Sequence, residues 1–269
     1  MIFLPHFDPK TVIDSIPRAS LMMGVPTYYT RLLNTGQLSR SKCKNMRLFI
    51  SGSAPLSINT FNDFKQATNH EIVERYGMTE TLMNTSNPVD GRRKSGSVGL
   101  PLKGISIRIS NPINEVGELE IKGPNLCMGY WRKEEDTKQS LTVDGFFKTG
   151  DQARGDMDGY ITIVGRKTDL IITGGLNVYP VEVETVINNI RGVLECTIIG
   201  TPGDDFGEVV TAIVVRNDGS ELNEKDIIEL SKQKLASYKV PKAVFFVSTL
   251  PRNTMGKIQK NIIKQQFIK

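Results

Sequence analysis

Histidine, cysteine and long apolar runs are all scarce in this sequence. Two histidines and three widely spaced cysteines (Cys43, Cys127, Cys196) among 269 residues make neither a zinc site nor a disulfide framework, so the thiols are expected to be reduced. The longest apolar runs, such as Val244-Phe245-Phe246-Val247, fall far short of the ~20 residues that cross a bilayer. No charged leader followed by an apolar run opens the chain, and the expectation is a cytoplasmic protein with no membrane span. Aromatics are not interleaved with the basic residues, which argues against nucleic acid as a partner. Acidic residues are missing altogether from 230–269.

What is present is globular in composition: 39% hydrophobic and 23% charged, long enough for one large or two smaller domains. The net charge of +5 is unevenly spread. Residues 230–269 carry nine basic groups (Lys232, Lys234, Lys239, Lys242, Arg252, Lys257, Lys260, Lys264, Lys269), leaving 25 basic against 29 acidic elsewhere. A basic end beside an acidic body suits a polyanion such as a nucleotide or coenzyme A. For Lys260, Lys264 and Lys269 a solvated helix face is the plainer expectation.

In chain order, Pro26 and the residues Thr27 to Leu33 read as a helix. Leu48-Phe49-Ile50 reads as a buried strand ending in Ser51-Gly52-Ser53-Ala54-Pro55-Leu56, small residues that let a planar ligand approach the backbone. Ser57 can cap a helix with Ile58, Phe61 and Phe64 on one stripe. A strand from Glu71 to Tyr76 then runs into Gly77-Met78-Thr79-Glu80-Thr81. A hydroxyl and a carboxylate placed there can meet a phosphate oxygen and Mg2+, although Gly-x-Thr-Glu also opens ordinary helices. Residues 98–131 and 144–164 have β-rich punctuation. Asp151, behind Thr149-Gly150, suits the two hydroxyls of a ribose or the cap of a turn.

At Gly165-Arg166-Lys167-Thr168-Asp169 the pattern changes. A strand to Thr173, the turn Gly174-Gly175, a helix opened by Pro180, strands at 194–199 and 209–215, and a helix at about 224–237 make an α+β module of domain size. The lysine of Pro251-Arg252-Asn253-Thr254-Met255-Gly256-Lys257 sits behind a Pro…Gly turn, where a mobile loop could carry its charge into a site.

Six stretches in this order resemble the adenylate-forming superfamily of acyl- and aryl-CoA synthetases, adenylation domains and luciferases. They are Ser51–Leu56, Tyr76–Glu80, Gly117–Gly123 with Gly129-Tyr130-Trp131, Thr149-Gly150-Asp151, Gly165-Arg166 through Glu184, and Gly256-Lys257. Glu74–Thr81 with Met83–Ser86, and Leu250–Lys257, are more closely similar to bacterial malonyl-CoA synthetases. The resemblance implies an acid–thiol ligase that joins malonate or methylmalonate to coenzyme A, with ATP going to AMP and pyrophosphate. It implies an α/β and α+β fold: part of a large AMP-binding domain over 1–164, a hinge at 165–168, and a small mobile α+β domain over 169–269.

By the same resemblance Lys257 bridges the substrate carboxylate and phosphate, Thr79 meets the α-phosphate, and Glu80 holds Mg2+. Ser53, Ala54, Pro55, Arg75, Tyr76 and Gly77 flank the nucleotide, Asp151 takes the ribose, and Arg166 lies near ribose and phosphate. Gly174 and Gly175 line the coenzyme A tunnel. Thr168 stands at the hinge, where many relatives have Lys or Asp. Malonate's second carboxylate needs a partner, and Arg31 is the candidate, with Met83 and Ser86 shaping a small pocket; the alternative for Arg31 is an ordinary exposed helix charge. The superfamily's Ser/Thr/Gly-rich phosphate loop has no counterpart here, so the chain reads as the C-terminal portion of such an enzyme. Alternatives are a synthetase for another short-chain or aryl acid, or a fragment that binds an adenylate or coenzyme A without making one.

Overall fold

The computed structural model describes residues 1–203, 207–253 and 256–268. The fold is mixed α/β with several sheets, and it divides into two compact units: Met1–Thr149 with Ala153–Ile163, and Gly150–Gln152 with Val164–Lys269. The three-residue piece Gly150–Gln152 belongs with residues that follow it in the chain, which nothing in the sequence pattern announces.

In the first unit Leu21–Gly24, Leu48–Ser51 and Val73–Met78 lie side by side in parallel, and Leu82–Ser86 and Leu100–Pro101 continue the sheet antiparallel. Parallel neighbours need crossovers, and the helices Pro26–Asn34 and Ile58–Thr68 supply them. Pro26 sits in the first turn of one, where its missing N–H costs nothing. Ser57 caps the other by accepting from Thr60 N at 3.0 Å. Phe61 and Phe64 are buried as their stripe predicts, but Ile58 is 44% exposed, because it opens the helix where the stripe has not yet reached the core. Tyr29, Phe49 and Phe64 form edge-on ring pairs at 5.3 and 4.8 Å, and the Tyr29 hydroxyl donates to Ile50 O at 2.6 Å, so this aromatic core carries no unpaired polar end.

Four strands in spatial order, Ser106–Ile113, Val116–Lys122, Phe147–Gly155 and Ile161–Arg166, make another sheet. Val98, Leu119, Ile121, Ala153 and Ile161 pack together there.

The second unit has its own core, which includes Ile171, Val178, Val183, Ile187, Ile198, Ala212, Val214 and Ile227. Its strands run in the order Leu176–Val178, Ile171–Thr173, Gly207–Arg216, Val193–Gly203, with Ala243–Phe246 parallel to Gly207–Arg216. Helices Pro180–Asn188, Glu224–Lys232 and Lys260–Phe267 complete it. Asn223 and Asp226 form a reciprocal capping box. That helix stops at Lys232, short of the expected 237, because its last turn tightens: the N–H groups of both Lys234 and Leu235 donate to Ser231 O. Among the described residues no helix is long and apolar enough to cross a membrane.

Candidate active site

Ligands of open α/β sheets bind beyond the carboxyl ends of the parallel strands, and two of the predicted stretches lie there. After Ser51 the chain turns through Gly52 into Ser53, Ala54 and Pro55, all three exposed. Ser53 holds φ at 71°, a region few non-glycine residues enter. Both ends of this loop are tied to the next strand. A Cβ on Gly52 would lie 3.4 Å from the Arg75 carbonyl oxygen, and Leu56 N donates to Glu74 Oε1 at 2.9 Å. Glu74 is buried, and its Oε2 and the Ser51 hydroxyl have no hydrogen-bond partner among the described residues. Burial pushes the Glu74 carboxyl up to about 8 against the opposing pull of the Leu56 N–H, so it is protonated at neutral pH. Sequence reading gave Glu74 no role of its own; it appeared only as an acid inside the strand Glu71–Tyr76, at the head of the stretch Glu74–Thr81.

Thr79 and Glu80 occupy the turn of a β-hairpin between Val73–Met78 and Leu82–Ser86, so the alternative of a helix start does not hold. Gly77, expected to flank the nucleotide, has a reason of its own to be glycine: a Cβ there would overlap the Leu82 carbonyl oxygen. The turn is braced from a second segment. Cys127 N donates to Glu80 O at 2.8 Å. The Asn125 amide donates to Thr81 O and, at 2.9 Å, to Asn84 Oδ1, while Asn84 donates to Thr81 Oγ1 at 2.7 Å. The Tyr130 hydroxyl donates to Glu80 Oε1 at 3.1 Å.

Thr137 locks Tyr130 in turn. Its Oγ1 accepts from Tyr130 N at 2.9 Å, and a Cβ on Gly129 would come within 2.7 Å of its methyl. The Gly129-Tyr130 motif thus acts on Glu80, a link that residues fifty positions apart could not reveal in sequence. Thr79 is exposed and Glu80 half-buried. Among the described residues no three His, Cys, Asp or Glu side chains cluster as metal ligands. One oriented carboxylate suits Mg2+, which takes one or two carboxylates and completes its shell with phosphates and water.

Met83 and Ser86 lie on the returning strand, both half-buried, with the Ser86 hydroxyl donating to Asn87 O at 2.8 Å. Arg75 and Tyr76 are half-buried on the outgoing strand, and Tyr76 packs beside the cluster of Val98 and Leu119. Arg31 projects from the exposed side of helix Pro26–Asn34, opposite the buried Tyr29 and Leu32. No hydrogen bond or ion pair of Arg31 occurs among the described residues.

In the second unit Asp151 Oδ1 and Arg166 Nε form an ion pair at 3.1 Å with the carboxylate almost wholly buried, so two residues expected around a ribose are brought together. Thr168 lies exposed in the single tight turn Lys167–Asp169. Gly174 and Gly175, with φ of 56° and 78°, form the two-residue link of the hairpin Ile171–Val178, a turn that asks for positive φ at both positions.

Lys257 is exposed, and the described residues on either side of it are paired. Arg252 pairs with Ile258 as a β-bridge, Asn253 N donates to Lys257 O at 3.0 Å, and Gln259 N donates to Pro251 O at 2.9 Å. Thr254 and Met255 of this motif, and Lys269, lie outside the described residues. Lys260 departs from the solvated face expected of it: it ion-pairs with Glu184 at 2.8 Å. Lys232, Lys239 and Arg252 pair likewise with Glu229, Glu182 and Glu195. The basic tail is therefore partly neutralised within its own unit.

Comparison with known proteins bears on the same residues. The AMP-binding enzyme family model matches residues 1–131, and the AMP-binding enzyme C-terminal domain model matches 182–257. A malonate–CoA ligase of Arabidopsis thaliana is 38% identical over 98% of this chain and 46% of its own length. A long-chain-fatty-acid–CoA ligase of Bacillus subtilis (strain 168) is 35% identical over 99% of this chain and 49% of its own. The crystal structure of ATP-bound MatB from Rhodopseudomonas palustris superposes with a TM-score of 0.95 at 50% identity, covering 99% of this chain and 55% of that one. The chain spans about half the length of the curated relatives it matches. With both family models in place along it and the fold of an adenylate-forming ligase, the chain belongs to the AMP-binding enzymes.

Proposed function

We propose that this chain works in ATP-dependent joining of malonate, or methylmalonate, to coenzyme A by way of an acyl-adenylate. The observation that carries the reading is the Thr79–Glu80 turn, braced by Asn125 and Tyr130 beyond the end of a parallel strand. In the first step a carboxylate oxygen attacks the α-phosphorus and pyrophosphate leaves, so negative charge must be gathered and offset. Thr79 presents its hydroxyl to the α-phosphate, and Glu80 holds Mg2+, which when bound neutralises phosphate charge. Ser53, Ala54, Pro55, Arg75, Tyr76 and Gly77 surround the base; Asp151 takes the ribose hydroxyls and Arg166 the ribose and phosphate. Lys257 delivers its ammonium to the carboxylate–phosphate junction. In the second step the thiol of coenzyme A, guided past Gly174 and Gly175, attacks the acyl carbonyl and AMP departs. Thr168 marks the hinge about which the small domain over 169–269 turns between the two steps. Arg31 clamps the second carboxylate of malonate, beside Met83 and Ser86; its exposed guanidinium, free of described partners, supports that role.

A second reading has its own support, since the chain spans about half of its curated relatives: a module that binds the adenylate or coenzyme A without forming the anhydride. One pair of measurements separates them. The ligase reading expects malonate-dependent pyrophosphate release by the 269-residue chain, lost in Lys257→Gln, with thioester formation from supplied malonyl-adenylate retained. The module reading expects a non-hydrolysable malonyl-adenylate analogue to bind, weakened by Asp151→Asn, with no pyrophosphate released. Absence of both turnover and binding overturns both.

A further inference from the structure

Two acid–base pairs stand on either side of Lys257 in the chain. On one side the Arg252 guanidinium pairs through Nη2 with Glu195 of strand Val193–Gly203, and its Nη1 donates to Gly256 O at 2.6 Å, one residue before the lysine. On the other side Lys260 pairs with Glu184 of helix Pro180–Asn188. Glu184 is itself fixed, accepting from Thr197 Oγ1 at 3.0 Å and from Ile198 N at 2.9 Å. Arg252 and Glu195 are each about one quarter exposed and Lys260 and Glu184 one fifth or less, so both pairs are better shielded from salt than ordinary surface bridges. Between them Gly256 N donates to Asn253 O at 2.9 Å and Lys257 N to Asn253 Oδ1 at 3.0 Å. The ammonium of Lys257 is left exposed while the backbone that carries it is tied to a strand and a helix of the core.

We propose that Arg252 is a positioning residue for Lys257: by bridging Glu195 and the Gly256 carbonyl it fixes the lysine's backbone to the core of the second unit. The Lys260–Glu184 pair is the second anchor. The kinetic half of this inference rests on the role proposed above for Lys257; the structural half does not. A guanidinium is needed because one side chain must reach a carboxylate and a carbonyl at once through a planar fork, which an ammonium does less well.

Amide hydrogen exchange followed by NMR on the 269-residue chain tests the structural half. Arg252→Gln is expected to speed exchange at Asn253, Gly256, Lys257 and Gln259 by about tenfold or more, with helix Pro180–Asn188 unchanged. The charge-reversed pair Arg252→Glu with Glu195→Arg is expected to restore part of the protection. Unchanged exchange at those four amides overturns the proposal. In turnover, Arg252→Gln is expected to lower the rate of adenylate formation about 10- to 100-fold with KM for ATP and malonate held, to leave thioester formation from supplied adenylate intact, and to be partly rescued by Arg252→Lys. Faster exchange with both half-reactions untouched overturns the positioning role. If the wild-type chain releases no pyrophosphate, the ligase reading of this chain fails on its own, and the exchange result alone decides the proposal.

Discussion

Glu74 is where a single residue makes the strongest demand. Its carboxyl is held up to about 8 by burial, against an ordinary value near 4.5, so between those limits the folded chain binds a proton that the unfolded chain has released. Stability from this group is complete below about pH 4.5, falls as pH rises through about 8, and is level above it. At about 1.4 kcal/mol per pH unit the loss is several kcal/mol, a large part of a domain's margin. Glutamine matches the neutral acid in shape. Glu74→Gln is therefore expected to flatten the decline in urea midpoint between pH 5 and 8, and to make the variant more stable than wild type at pH 9. The same slope in both proteins would show that Glu74 is ionised in the fold. The loop it anchors through Leu56 is the one proposed to flank the base, so nucleotide binding is expected to weaken as pH rises through about 8 and Glu74 ionises in the fold.

Among the elements, two hairpins use glycine for different reasons, and substitution separates them. Gly77 has no room: a Cβ would meet the backbone of Leu82, which cannot swing aside. Gly175 has open space around it and a φ of 78°. Gly77→Ala is expected to cost about 3 kcal/mol, at the upper end of overpacking, and Gly175→Ala about 1–2 kcal/mol, the left-handed penalty alone. Urea midpoints of the two variants check the order; a smaller loss for Gly77→Ala would mean the hairpin can shift.

The same elements show what was legible in the sequence. Leu48–Ser51 carries apolar and aromatic residues, the helix after Ser57 its cap and apolar stripe, and the helix opened by Pro180 its first-turn proline and periodicity, and they appear where expected. Leu21–Gly24 was not foreseen: Leu-Met-Met-Gly has no β-branched residue, and its pairing with Leu48–Ser51 is a tertiary choice. For the site, the motif residues were readable because their order along the chain is specific. Their supports were not, since Tyr130 reaches Glu80, Asn125 reaches Thr81 and Lys260 reaches Glu184 across long stretches of sequence.

For the whole molecule, the charge distribution along the chain and the division into units point the same way. The nine basic groups of the tail looked like a surface waiting for a polyanion, yet Lys232, Lys239, Arg252 and Lys260 find their acids at Glu229, Glu182, Glu195 and Glu184, all inside the second unit. That unit also holds a core of its own, with Ile171, Val183, Ile198 and Val214 among its buried residues, and is of a size that folds alone. A chain of residues 164–269 is therefore expected to give a dispersed amide spectrum and one cooperative urea transition. What it loses is Asp151, the buried partner of Arg166, at its very start, where the exposed guanidinium remains solvated and the penalty is small. The backbone at Lys257 should keep its exchange protection in this shorter chain, because both of its anchors come along. A collapsed spectrum, or a transition without cooperativity, would mean that Gly150–Gln152 is an integral strand of the second core and that the unit cannot be cut from the strand Phe147–Gly155.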